Sequence, residues 1–341
     1  MLFLNTLLGE FWRVNMAHEL SLNMLGEAEM AYCGAKPWHG LGQEVCEGAS
    51  LDEWMDQARM NWRILRAPVQ YTNANLHDFP EHHVLYRSDN DLPLSVVSPR
   101  YKIVQPKKML EFYRSLVERE GFAIETIGSL KGGRRIWALA RTHIENDVLG
   151  SDRLKAYVLL ITSCDGSLAT TAKFTCVRVV CWNTQAIALN ESGKQVKVRH
   201  NTAFNPDAVK GEMGLMGAKA FDAFLGKMRS LTRVKLTEPD AQGIVACLLA
   251  SPMDERKGVE HKGIEQTKGF QKIMALFNGA AQGAHLPGVQ GTAWGLLNAV
   301  TEYADHHARA RNPENRLYSQ WFGVNANLKE AAQSLLCEMA D

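Results

Sequence analysis

Hydrophobic positions along the chain follow two different spacings, and the change between them falls near residue 206. Before it, short apolar runs such as Val69–Tyr71, His83–Arg87 and Leu94–Val97 are typical of strands. After it, apolar residues recur every three or four positions, which indicates amphipathic helices. The pattern therefore predicts an α+β chain in which a sheet precedes a helical region.

Helices are predicted on both sides of the middle strands. Ser50 and Glu53 have the spacing of a capping box and start a short helix. Pro106 starts a longer helix that Gly121 ends, because proline suits a first helical position and glycine a C-terminal cap. The apolar stripe of this helix is Met109, Phe112, Tyr113, Leu116 and Val117. A further short helix is predicted at 182–189.

Two β-hairpins are predicted between these helices. The first joins Phe122–Leu130 to Arg134–Thr142 through a Gly-Gly turn, and the second joins Lys155–Ser163 to Leu168–Cys181 through an Asp-Gly turn. Gln195–His200 alternates polar and apolar residues and adds another strand. The expected fold is an antiparallel sheet of about four or five strands flanked by helices.

The same change of spacing divides the chain into two regions. Residues 16–205 form the predicted α+β core domain, and residues 206–341 form a helical region packed on it. Its predicted helices are 206–231, 238–250, 264–279, 290–310 and 325–340. Residues 1–15 lack the basic start and small-residue cleavage site of a secretory signal. Our hypothesis is that translation starts at Met16 and that residues 1–15 are an upstream extension.

Composition places the chain among globular proteins. Of its 341 residues 46% are hydrophobic and 22% are charged, which is ordinary for a folded domain. No apolar run approaches the roughly 18 residues that a membrane span needs. The seven cysteines are odd in number and irregularly spaced, which favours reduced thiols and a cytoplasmic location.

The net charge of +1 conceals an asymmetry along the chain. Residues 1–99 carry six basic and 13 acidic side chains, whereas residues 100–200 carry 17 basic and nine acidic ones. Residues 201–341 carry 15 of each sign. A basic middle third in a nearly neutral chain indicates an anionic partner.

Sequence motifs for cofactor chemistry are absent. The chain has no G-x-x-x-x-G-K-[ST] loop and no G-x-G-x-x-G after a strand, so neither ATP hydrolysis nor a dinucleotide cofactor is expected. Cys33, His39 and Cys46 do not have the spacing of a common zinc site. Cys164 has no histidine near it in sequence. We therefore predict no cofactor, no metal, no catalytic residue and no enzymatic activity.

Basic side chains recur on alternate positions of the predicted strands. Lys197 and Arg199 alternate with valines, and Arg135, Trp137 and Arg141 share one parity. Such a stripe can hold phosphates while an indole ring stacks on a base. The candidate nucleic-acid-binding residues are Lys131, Arg134, Arg135, Trp137, Arg141, Lys173, Arg178, Lys197 and Arg199.

The same stripe also fits a solvated sheet face whose lysines guard an edge strand against pairing. Trp137 and Trp182 fit either a core position or a stacking platform. The tryptophans assigned to packing are Trp54, Trp62, Trp294 and Trp321.

Several segments resemble the phage/plasmid-like protein family, a domain of unknown function found in phages, prophages and conjugative plasmids. The resemblance starts at Met16, covers nearly the whole remaining chain and keeps the order of the family. The segments that carry it are Met16–Leu20, Pro37–Gly42, Gly128–Arg135, Val177–Thr184, Gly291–Gly295 and Asn298–Tyr303.

That resemblance implies a role in the DNA metabolism of mobile elements. The order helix, two hairpins, helix is also similar to the core of the ATP-independent single-strand annealing recombinases, which form rings. The expected function is single-stranded DNA binding and annealing by a homo-oligomer, with a phage or plasmid exonuclease as a candidate partner. The alternative is a protein-interaction or counter-defence module whose basic face meets an acidic protein.

Overall fold

The fold is α+β, as the hydrophobic pattern predicts, and is seen in a computed structural model. The residues that the structure describes are 20–23, 25–34, 41–120, 122–178, 180, 183–186, 195–202, 205, 217–250, 263–309 and 316–340. Trp182 and the proposed start at Met16 lie outside them.

A large sheet forms the centre of the described chain. Its strands are β1 (Met30–Tyr32), β2 (Gln43–Glu44), β6 (Ala123–Leu130), β7 (Arg135–Asp147), β8 (Arg153–Ser163), β9 (Thr170–Arg178), β10 (Asn183–Ala186) and β11 (Gln195–Val198). Their order is β10-β9-β8-β7-β6-β1-β2, and β11 also pairs with β9. The pairs are antiparallel except β1–β2, which is parallel. The sheet is thus larger than predicted.

A second, antiparallel sheet has the order β3-β4-β5. Its strands are β3 (Ile64–Asn73), β4 (Asn75–Arg87) and β5 (Pro93–Val97). The strand-like runs of the sequence lie in these elements, but β3 and β4 extend well beyond them. The extension is exposed and therefore lacks the apolar alternation that marks a half-buried strand.

The helices follow the predicted pattern with some differences at their ends. They are α1 (Leu51–Gln57), α2 (Pro106–Glu120), α3 (Gly217–Leu231), α4 (Glu238–Leu249), α5 (Lys268–Ala275), α6 (Ala293–Glu302), α7 (Arg316–Phe322) and α8 (Val324–Glu338). The predicted helices 264–279 and 290–310 include π-helical turns at Leu276–Ala280 and Tyr303–His307. Helix α7 has no counterpart among the predicted helices.

Both predicted hairpin turns are longer than expected. Leu130 pairs with Arg135, so the first loop has four residues and not two. Three of them, Lys131 to Gly133, have positive φ and form a 3₁₀ turn. The second loop separates Ser163 from Thr170 and contains a turn in which Asp165 accepts the Ser167 N–H.

The predicted helix at 182–189 is wrong where the structure describes it. Residues 183–186 form β10, which pairs with Arg178 to Thr175 of β9. The open edge of β9 supplies backbone partners that a short isolated helix would lack.

The main core lies between the large sheet and the helices. Every residue of α6 is buried, and Phe112 and Tyr113 of α2 are fully enclosed. The Tyr113 hydroxyl donates to the carbonyls of Ala138 and Val158 at 2.7 and 3.2 Å. One hydrophobic cluster thereby joins both sheets to the helical region. Within the described chain, no helix has the length and apolarity needed to cross a bilayer.

An enclosed ion pair ties the sheet to the helical region. The Arg178 guanidinium donates to Asp152 through Nε at 2.6 Å and Nη2 at 2.8 Å. The same carboxylate accepts the Trp294 indole N–H at 2.8 Å. Arg178 also donates to the carbonyls of Gln282 and Gly283, so one side chain joins β9 to the helical region.

A second enclosed cluster joins the two sheets. Arg87 of β4 donates to both carboxylate oxygens of Glu29, at 2.6 and 3.1 Å. The Ser129 hydroxyl donates to Glu29 at 2.5 Å, and the Arg87 guanidinium lies 4.2 Å from the centroid of the Trp62 ring. Trp62 is therefore a packing residue, as predicted.

Replacing Arg178 should destabilise the fold strongly, because it leaves the Asp152 charge buried without its partner. We expect Arg178→Met to lower the free energy of unfolding by about 3–5 kcal/mol, measured by denaturant titration. Arg153→Met is the matched control, since Arg153 is 49% exposed and pairs at the surface. Its expected cost is below about 1 kcal/mol, and equal losses in the two variants would contradict this account.

Candidate nucleic-acid interface

The face of the large sheet opposite the main core collects most of the predicted site residues. We call it the outer face. Register across four strands places Trp137 opposite Ile161, Ile161 opposite Thr171, and Thr171 opposite Lys197. It carries Arg135, Trp137, Leu139, Arg141, Leu159, Ile161, Thr171, Lys173 and Lys197.

The predicted parities agree with this register. Arg135, Trp137 and Arg141 share the outer face, and Lys173 lies on it at the level of Leu159 and Leu139. Lys131 and Arg134 lie in the β6–β7 turn, at the end of the face. Arg199 directly follows β11. The alternation in the sequence therefore predicted correctly which of these strand residues share a face.

Arg178 does not belong to this stripe. It has the opposite parity to Lys173, as the sequence indicates, and is 1% exposed within the ion pair to Asp152. Because its guanidinium is already engaged on the core side of the sheet, its assignment to the interface is wrong.

Helix α7 covers the centre of the outer face. Its Tyr318 ring lies 3.8 Å from the Arg135 guanidinium, and its Trp321 ring contacts Trp137 edge-on with centroids 5.1 Å apart. Lys173 Nζ donates to the Trp321 carbonyl at 3.0 Å and lies 5.1 Å from the Phe322 ring. Arg135 and Lys173 are therefore only 6% and 7% exposed.

Some donors under this helix have no acceptor within the described chain. Arg135 donates through Nη2 to the Ser167 hydroxyl at 3.2 Å, but its Nε and Nη1 are buried without a hydrogen bond. The Trp137 indole N–H is also buried and unpaired. An unsatisfied buried donor costs about 1–3 kcal/mol, so an acceptor placed here would be bound favourably.

Accessible cations surround the covered centre. Arg134, Lys197 and Arg199 are exposed and Lys131 is half-buried. Among the residues that the structure describes, none of the four forms an ion pair. These side chains are free to contact an anionic ligand.

Glu125 is a half-buried acidic residue that interacts with the charge of Arg141. Glu125, in the bulge of β6, accepts the Tyr157 hydroxyl at 3.1 and 3.2 Å. Burial raises the pKa of Glu125, and the hydrogen bond from Tyr157 and the charge of Arg141 oppose that rise only in part. The ionised form of Glu125 is therefore less favoured than that of an exposed glutamate.

Cys164 is poorly suited to nucleophilic catalysis. It is buried, its thiol contacts the carbonyls of Gly133 and Arg134, and burial raises its pKa to about 12. The thiolate that would react is thus disfavoured at neutral pH. No three metal-ligating side chains converge within the described ranges, and His39 of the Cys33–His39–Cys46 set lies outside them.

A family model for a domain of unknown function, DUF932, matches residues 93–321, which is two thirds of the chain. The chain belongs to the DUF932 family. The DUF932 match includes both long hairpins of the large sheet, the buried α6 and all of the covering helix α7 except Phe322. No curated protein and no solved structure matches the chain.

The cover formed by α7 was not predicted for this DUF932 chain. The sequence assigns Trp321 to packing, which its 8% exposure supports. It does not predict that Trp321 packs against Trp137. Tyr318, Trp321 and Phe322 have the spacing of one helical face, which was the available signal. Trp54 and Trp294 are buried as predicted.

Glu125 should make stability depend on pH. Because its pKa is raised in the folded chain, the folded state keeps a proton that the unfolded state releases, and stability falls as the pH rises above the ordinary glutamic acid pKa. We expect Glu125→Gln to raise the melting temperature at pH 7 more than at pH 4, measured by calorimetry. Glu145→Gln, at an exposed carboxylate, is the control, and an equal gain at both pH values for Glu125→Gln would refute the assignment.

Proposed function

We propose that the chain binds single-stranded DNA along the outer face and anneals complementary strands without ATP. The observation that carries the proposal is the register that aligns Arg135, Lys173 and Lys197 with Trp137 on one sheet face. The proposal includes a role in recombination on phages or plasmids, in the cytoplasm, with an exonuclease as a further partner.

The chemistry of this face suits a single strand. The exposed cations Arg134, Lys197 and Arg199 can neutralise phosphates with release of counterions. The two unpaired donors of Arg135 match the oxygens of a phosphate, which a planar guanidinium binds through two parallel hydrogen bonds. Trp137 would offer a ring for a base where Trp321 packs against it.

Reversing two exposed cations should weaken binding. We expect Lys197→Glu with Arg199→Glu to lower the affinity for a labelled oligo(dT) of about 20 nucleotides by at least about tenfold near 50 mM salt. The salt slope should also become shallower, because each lost phosphate contact removes about 0.7 from it. Fluorescence polarisation measures both quantities.

The matched control reverses Lys107 and Lys108, two exposed cations of α2 on the other side of the sheet. This variant should bind like the wild type. Equal weakening by the two double variants, or no binding of wild-type protein at low salt, would eliminate the proposal. A separate assay, in which two complementary labelled strands are mixed with the protein in the absence of ATP, tests the proposed annealing activity.

A second candidate function, protein interaction, is favoured by a projecting arm. The arm is Val69–Phe79, the end of the β3–β4 ribbon beyond a bulge at residues 80–82. Register places Tyr71 opposite His77 and Val69 opposite Phe79 on one face. Tyr71 and Phe79 are 53% and 41% exposed, and a bare two-stranded ribbon is marginally stable in water. This aromatic face is therefore suited to packing against a partner.

The charge of the arm points to a basic partner. No lysine or arginine occurs between Arg66 and Arg87, whereas Asp78 and Glu81 are acidic. Nucleic acid is thus a poor occupant. We infer that the arm binds a second copy of the chain and so builds the homo-oligomer.

Removing the aromatic face of the arm should abolish this assembly. We expect Tyr71→Ser with Phe79→Ser to convert an oligomeric wild type into a monomer, measured by light scattering after gel filtration. Gln70→Ser with Thr72→Ser changes the opposite arm face and should leave the mass unchanged. A monomeric wild type at tens of micromolar, or an oligomeric aromatic variant, would exclude this role.

A further inference from the structure

Helix α7 places three aromatic side chains on three residues of the outer face. Tyr318 lies over Arg135, Trp321 contacts Trp137 edge-on, and Phe322 lies over Lys173. Aromatic rings over cations and over an indole are the contacts that nucleic acid bases make in single-strand sites. The helix therefore occupies positions that a base and its neighbouring phosphates would take.

The covered arrangement leaves hydrogen-bonding capacity unused. Arg135 is more than nine-tenths buried, yet its Nε and Nη1 have no acceptor among the described residues, and neither has Trp137 Nε1. Aromatic rings cannot replace the acceptor oxygens that a guanidinium binds. A ligand with both flat rings and anionic oxygens would satisfy this surface better than α7 does.

The helix is short and is separated from its neighbour by a defined break. It has seven residues, fewer than the roughly 12–15 that an isolated helix needs in water. Gly323 follows it, and a Cβ there would lie 2.8 Å from Ser319 Cα, so the break depends on glycine. The fold of α7 thus depends on its contacts with the outer face, with Asp305, whose carbonyl accepts from Gln320, and with the start of α8, where the Asn325 N–H donates to the Ser319 hydroxyl at 3.2 Å.

We propose that α7 is a displaceable cover over a nucleotide subsite, and that single-stranded nucleic acid takes its place. A base stacks on Trp137 where Trp321 lies, and a phosphate binds Arg135 and Lys173 where Tyr318 and Phe322 lie. The exposed cations around the cover make the first contact with the strand. This inference rests on the proposed DNA binding and adds its regulation: the protein binds weakly while covered and tightly once α7 has left.

Weakening the cover should strengthen binding. Tyr318→Ala with Phe322→Ala removes the two rings that lie over cations. We expect oligo(dT) of about 20 nucleotides to bind this variant about tenfold more tightly, because the ligand no longer competes with α7 for an open state that is rarely populated. Val324→Ser, at a residue that is 78% exposed, should leave the affinity unchanged.

A third substitution tests the subsite itself. Adding Trp137→Leu to the uncovered variant should remove most of the gain in affinity, because the stacking ring is lost. Circular dichroism and a melting curve check that each variant is folded.

Hydrogen exchange on the wild-type protein gives an independent measurement. Saturation with oligo(dT) should accelerate amide exchange in residues 316–322 and slow it in β7. Unchanged or slower exchange in α7, or an unchanged affinity of the variant with Tyr318→Ala and Phe322→Ala, would contradict the proposal that α7 is displaced. Neither result would contradict DNA binding itself. If the wild-type protein does not bind oligo(dT) at low salt, the proposed function itself fails.

Discussion

The ion pair between Arg178 and Asp152 is the contact on which the relation between sheet and helices depends. Three parts of the chain converge on it: the end of β9, the loop before β8, and the helical region with Trp294 and the carbonyls of Gln282 and Gly283. Buried charges need a full set of hydrogen bonds, because each lost hydrogen bond leaves a desolvated polar group that raises the free energy of the folded state. The ion pair holds α6 on one side of the sheet, and α7 lies over the other side.

The two basic residues of β9 lie on opposite faces of the sheet and have different roles. Lys173 and Arg178 lie five positions apart and point to opposite faces. Arg178 serves the core, whereas Lys173 lies under α7 next to the aromatic side chains. The net charge of residues 100–200 therefore overstates how basic the surface is, because some of the basic side chains are buried.

Local patterns predicted much of the fold and of the stripe. The buried α2 positions Met109, Phe112 and Tyr113, the long hairpins and the parity of Arg135, Trp137 and Lys173 followed from spacing alone. The helix α7 could not be placed on the sheet, because a contact between residues 137 and 321 leaves no local signal. The predictions for the turn at Lys131 and for residues 183–186 were wrong for a similar reason, because backbone contacts with neighbouring segments determine these conformations.

The position of β11 has a consequence for solubility. Within the described chain β11 pairs with β9 alone, so no described strand pairs with its other edge. Such an edge is a template for pairing with another sheet and hence for aggregation. Lys197 and Arg199 stand at this edge, where charge discourages that association. The same two cations that suit a phosphate backbone thus protect the free chain while no ligand is bound.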